Sequence, residues 1–122
     1  MSLDVSLNRK ADEQSVCSEC GQHYFPNYSV YDANITHNLG EMANAAGIYE
    51  IVWRPEENGI TTAEQLIEPL EKAIADMKAR PKYYEQFNSP NGWGTYKNFV
   101  PWLEKYLAAC KEYPDAVVEA SR

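Results

Sequence analysis

Asn34, Thr36, His37 and Asn38 lie within one five-residue stretch, so two amides, a hydroxyl and an imidazole are concentrated where a strand pattern gives way to a helical one. Side chains of these types suit a hydroxyl-rich ligand, and backbone N–H groups at a helix start suit an anionic one. Thr36 or Asn38 can equally serve as a helix cap, with His37 as a structural donor. Trp53 and Arg54 set an aromatic face beside a fixed cation, a pairing that suits a base and a phosphate. Trp53 also suits a core, and Glu56 and Glu57 can neutralise Arg54. Asn88, Asn91, Trp93 and Tyr96 share a Gly-bearing loop that leads into a helix, where amides and an indole can converge on a planar polar ligand. The Asn91-Gly92 pair alternatively marks a tight turn, with Trp93 plugging the core.

Other chemistries are less completely furnished. Cys17-x-x-Cys20-Gly21 resembles half of a zinc knuckle, which His23, His37 or a second protomer's cysteines would have to complete. A structural zinc there competes with an ordinary reduced cysteine pair, and no cofactor is required. The pair precedes no βαβ pattern, so thiol–disulfide catalysis is disfavoured. Glu41, four residues after His37, and Asp32, ahead of it, are the carboxylates that would support hydrolysis, but neither spacing is specific. No catalytic residue is assigned and an enzyme is not expected. Neither the P-loop pattern nor the dinucleotide glycine fingerprint occurs.

The 122 residues carry a net charge of −7, which opposes generic DNA or RNA binding, because that depends on clustered Lys and Arg. An acidic surface can still engage a basic protein directly. No segment approaches the ~20 apolar residues of a membrane span, and MSLDVSLNRK lacks a secretory apolar run, so a cytoplasmic protein is expected.

Elements that position these residues follow from periodicity. Residues 3–7 and 29–35 alternate apolar and polar and predict an antiparallel pair. Residues between them form a polar, Cys-containing excursion. Leu39, Met42, Ala43 and Ala46 mark a first helix that Gly47 ends in a left-handed cap. Residues 48–53 are too short to assign as strand or helix. Thr62 to Gln65 reads as a capping box ahead of the helical set Leu66, Ile67, Leu70, Ile74 and Met77. Pro69 predicts either a kink or a helix that begins there. Thr95 can cap a last helix carrying Phe99, Trp102, Leu103, Tyr106, Leu107 and Cys110. A terminal strand over 115–120 is expected at the sheet's edge. The expected class is α+β: one domain over 1–122, mainly β to residue 37, helical over 38–113, with about three helices packing an antiparallel sheet.

The segments NITHNL (34–39), WRPEE (53–57), NGWGTY (91–96) and VEASR (118–122) resemble a family of small proteins carried by bacteriophages and prophages. The chain is similar, more specifically, to the type 1 anti-Thoeris proteins, which sequester a cyclic ADP-ribose-derived immune signal without cleaving it. That resemblance implies an N-terminal antiparallel sheet with C-terminal helices. It also implies a homo-oligomer, dimer or hexamer, acting in the infected cell's cytosol, with cyclic oligonucleotides as further ligands. Among the residues matching these motifs, Trp53, Trp93, Tyr96, Asn34, Asn38, Asn91, Arg54 and Arg122 supply the residue types such a ligand needs. Arg122, a frayed end on the simplest reading, would contact phosphate across an interface. A direct inhibitor of a host defence protein and a cyclic-nucleotide hydrolase using His37 are the alternatives.

Overall fold

Leu3, Val5 and Leu7 are buried while Asp4, Ser6 and Asn8 face outward, the period-2 signature of a sheet covered on one side. They lie on β1 (Ser2–Lys10), the centre of a three-stranded antiparallel sheet between β4 (Asn27–Thr36) and β5 (Val117–Ser121). The computed structural model describes residues 2–10, 15–16, 21, 23–24, 27–90, 92 and 94–122. Asp4 pairs with Asn34 on one side and Ser121 on the other, and Leu7 with Tyr31 and Val118. The β1–β4 register shifts after Leu7, where Asn8 pairs with Ser29 and Val30 becomes the extra residue of a bulge. Both long strands exceed the predicted spans, because ladder hydrogen bonds continue past the last apolar side chain. The excursion contains two short paired strands, β2 (Ser15–Val16) and β3 (His23–Tyr24).

Among the described residues there are five α-helices, against about three expected, packed with the sheet around one core. A 3-10 turn at His37–Leu39 leads into α1 (Gly40–Ala45), and Gly47, at φ +78°, ends it in the predicted left-handed conformation. The ambiguous segment is α2 (Tyr49–Trp53), whose Tyr49 and Trp53 rings stack across one turn at 5.4 Å. A second 3-10 turn, Pro55–Asn58, follows. Asn58 Nδ2 donates to the carbonyls of Glu50 and Arg54, each of which also accepts a backbone N–H, so the amide adds a second bond that ties the turn to the end of α2.

The principal helix, α3 (Glu64–Ala79), runs through Pro69 instead of starting there. Gln65 supplies one arm of the predicted capping box, its Oε1 accepting from the Thr61 and Thr62 backbone. The Thr62 arm is unused, since no side chain caps α3 and Thr62 bridges to Val117. Pro81 opens α4 (Pro81–Glu85), where a missing N–H costs nothing. The last helix, α5 (Tyr96–Glu112), buries Phe99, Leu103, Tyr106 and Cys110. One continuous core joins these side chains to Leu3, Leu7, Met42, Leu66, Leu70 and Met77, each fully buried aliphatic or Phe contributing about 1.5–3 kcal/mol. Among the described residues no helix is long and apolar enough to cross a membrane.

Candidate functional site

The turn after β4 and the loop before α5 meet at a glycine. Gly94 is buried at φ +107°, and a Cβ built there would lie 3.1 Å from Asn38 Cβ, 3.2 Å from Thr36 Cγ2 and 3.3 Å from Leu39 Cγ. Only glycine permits both that backbone conformation and that approach. The contact opens a groove of about 650 Å³ lined by Ser2, Asn34, Thr36, Asn38, Gly92 and Asn98, among others, with no charged side chain among the described lining residues.

Asn38 also borders a second groove with His37, Glu41, Gln86, Asn88 and Ser89. His37 and Glu41 continue into a third with Asn44, Tyr49, Glu50 and the edge of Trp53. The three grooves therefore form one track, joined at Asn38 and at His37. Six residues expected from sequence, Asn34, Thr36, His37, Asn38, Trp53 and Asn88, line it, Trp53 by its edge alone. Ser2, Asn44, Tyr49, Gln86 and Asn98 join them without having been anticipated. Tyr49 had a signal, since it stands one helical turn from Trp53 beside Arg54.

Most of these side chains also have structural partners. Asn34 Nδ2 donates to Asp4 Oδ1 at 2.7 Å and Ser2 Oγ at 2.9 Å, while its carbonyl accepts from the Trp102 indole at 3.1 Å. Thr36 Oγ1 accepts from the Asn38 N–H at 3.2 Å, so capping does occur at this turn. That cap occupies one N–H of a three-residue 3-10 turn, and the helix-start anion site expected here is correspondingly reduced. Asn88 Oδ1 accepts from the Tyr96 N–H at 2.7 Å and caps α5, a role predicted for Thr95, whose side chain makes no capping bond. The Tyr96 hydroxyl donates to the Met77 carbonyl at 2.8 Å, tying α5 to the last turns of α3.

Trp53 is 1% exposed, so it offers no open face for a base. Its ring stacks on Tyr49 and meets the edge of Phe99 at 6.3 Å. Its indole N–H donates to His37 Nδ1 at 2.9 Å. Among the described residues, the accessible aromatic surface along the track comes from half-buried Tyr49 in the third groove and half-buried Phe87 in the second.

The two arginines flank this track without lining it. Arg54 donates to Glu57 at 2.8 Å, and this bond first, then the neighbouring Tyr49 hydroxyl, holds its guanidinium more firmly protonated than usual. Arg122 is pinned, not frayed: it donates to Glu56 at 2.6 Å and to the Trp53 carbonyl at 2.9 Å. That hydrogen bond holds the Glu56 carboxyl below its ordinary value.

Asn91, Trp93, Cys17 and Cys20 lie outside the described residues, as does the His23 side chain. Among the described residues no three His, Cys, Asp or Glu groups cluster to hold a metal. No family model, curated protein or solved structure matches the chain.

Proposed function

We propose that the protein binds and sequesters a cyclic nucleotide signal of the cyclic ADP-ribose class without cleaving it, as a phage counter-defence protein working in the host cytosol as a homo-oligomer. The observation that carries this reading is the track of amide and hydroxyl side chains, neutral along its first groove, that the turn at Asn34–Asn38 makes with the loop before α5. Such groups suit ribose and base. The phosphates are assigned to Arg54, which borders the track through Tyr49. Its pairing with Glu57 is solvent-exposed on both sides, so a phosphate can displace that carboxylate at small cost.

His37 favours binding over hydrolysis. An indole N–H only donates, so Nδ1 spends its lone pair on Trp53, and in the neutral ring the proton sits on Nε2. Neither nitrogen is then free to take a proton from water. Calorimetry with cyclic ADP-ribose and its isomers, followed by mass analysis of ligand released from denatured protein, tests the proposal. Intact ligand is expected, and a hydrolysed product would replace this reading with an enzyme.

A second reading rests on the outer face of the sheet, where Asp4, Asp32 and Glu119 line one shallow groove in a chain of net charge −7. This face suits a basic host protein. A stable protein complex formed without nucleotide would favour it.

A further inference from the structure

We propose that His37 and Glu41 form a subsite for a vicinal diol, the 2′,3′-hydroxyls of a ribose, at the seam of the second and third grooves. This rests on the binding reading above and names the part of the ligand that the seam takes. The Trp53 hydrogen bond fixes His37 as a donor, with Nε2–H as its remaining polar group. His37 is half-buried, lines both grooves, and gives Nε2 no partner among the described residues.

Glu41 is exposed, stands four residues on, and lines the same two grooves. Its carboxylate only accepts. A diol matches this pair as neither an anion nor a cation does. Its two hydroxyl protons go to the two carboxylate oxygens, and one hydroxyl oxygen accepts from Nε2–H. A phosphate oxygen would meet the donor but would be repelled by Glu41 and by Glu50 across the third groove. An ammonium group would meet the carboxylates but find an N–H pointed at it. The amides of Asn38, Asn44 and Asn88 border the same seam and suit the rest of a nucleoside.

The experiment follows the His37 imidazole nitrogens by long-range ¹⁵N–¹H correlation while adenosine, 2′,3′-dideoxyadenosine or inorganic pyrophosphate is added up to millimolar concentrations. Free protein should show the Nε2–H tautomer. Adenosine should move the Nε2 signal, dideoxyadenosine should bind about tenfold or more weakly, and pyrophosphate should leave the signal in place. By calorimetry, His37→Asn, whose Oδ1 can still accept from the Trp53 indole, should lose the adenosine response. Glu41→Gln alters an exposed side chain and should also weaken adenosine about tenfold, which keeps the test open if His37→Asn folds poorly.

An unmoved Nε2 signal, equal binding of the dideoxy compound, or unchanged affinity in Glu41→Gln would overturn the subsite. Adenosine shifts with no capture of cyclic ADP-ribose would leave the subsite standing and remove the sequestration reading. Tight capture with a silent His37 would do the reverse.

Discussion

Arg122 Nη1 donates to the carbonyl oxygen of Trp53 at 2.9 Å, joining the end of β5 to the last turn of α2. A guanidinium at that position satisfies an acceptor the helix cannot use and sits favourably at the negative end of its dipole. Trp53 in turn fixes His37, so the bond supports the track from behind. Arg122→Ala should lower stability by about 1 kcal/mol through the released carbonyl. Arg122→Lys should fall between wild type and Arg122→Ala, because Nη1 alone makes both contacts and an ammonium could replace it, but on a more strongly hydrated and less preorganised side chain. Urea denaturation midpoints measure this, and equal midpoints for all three proteins would show that the contact contributes nothing.

Gly94→Ala should be more damaging. The new methyl group would have to intrude on Asn38, Thr36 and Leu39 at 3.1–3.3 Å while the backbone keeps φ +107°. Together these should cost roughly 2–4 kcal/mol and displace the Thr36–Asn38 turn. Gly92 also has positive φ, at +78°, but a Cβ there meets nothing within 4 Å among the described residues. Gly92→Ala should therefore cost about 1 kcal/mol, and the difference between the two variants isolates the steric part. Thermal unfolding of both variants, with ligand binding measured on the folded fraction, provides the comparison.

Three described carboxylates, Glu56, Glu68 and Asp76, are held below their ordinary values and give the fold an acid-side dependence, Glu68 being the most exposed of them. Glu56 is held below its ordinary 4.5 by the Arg122 hydrogen bond. Asp76 is held below 3.8, first by the Arg80 guanidinium and then by the Tyr84 hydroxyl, which donates to it. A group with a depressed folded value stabilises the protein fully above its unfolded value and loses that contribution as pH falls through the folded one. Stability should therefore be flat from neutrality to about pH 5 and decline below it. Glu56→Gln with Asp76→Asn should begin from a lower plateau and decline less steeply, which melts at pH 7, 5 and 3 would reveal. Parallel pH profiles for the two proteins would mean that Glu56 and Asp76 do not set the slope.

How far the sequence reveals this arrangement depends on the range of each interaction. Alternation at Leu3, Val5 and Leu7 and the cap at Gly47 are local, and both are legible. So is the choice facing Arg54, whose carboxylate partner stands three residues on. Pro69 leaves two readings open because propensity is a per-residue quantity, and the buried face from Leu66 to Met77, which carries α3 through the missing hydrogen bond, decides against a helix that starts there. Thr95 is the nearest capping residue, yet the cap comes from Asn88, eight residues before the N–H it accepts from. The track depends on Gly94 meeting the turn at Thr36–Leu39, more than fifty residues earlier in the chain. The sequence marks its residue types, but not that the arginines fall to either side or that Trp53 turns inward.

Tyr106 offers a prediction of opposite sign. Its ring is fully buried, stacked near-parallel to Tyr31 at 5.9 Å and edge-on to Trp102 at 5.6 Å. Its hydroxyl, however, has no hydrogen-bond partner among the described residues. Burial pushes this phenol upward, and it pushes the Cys110 thiol up to about 12, so both groups are neutral at physiological pH. An unpaired hydroxyl has lost its water without gaining a partner, a penalty of about 1–3 kcal/mol. Tyr106→Phe keeps the ring contacts and removes that penalty, so it should be stabilising by roughly 1 kcal/mol, the gain being reduced by the small void left where the oxygen was. Tyr106→Leu would also remove the hydroxyl but forfeits the aromatic contacts, and it should be destabilising. Matching urea titrations of the three proteins decide the point: a destabilised Tyr106→Phe would mean that the hydroxyl has a partner, such as a buried water, which the variant deprives of its hydrogen bond.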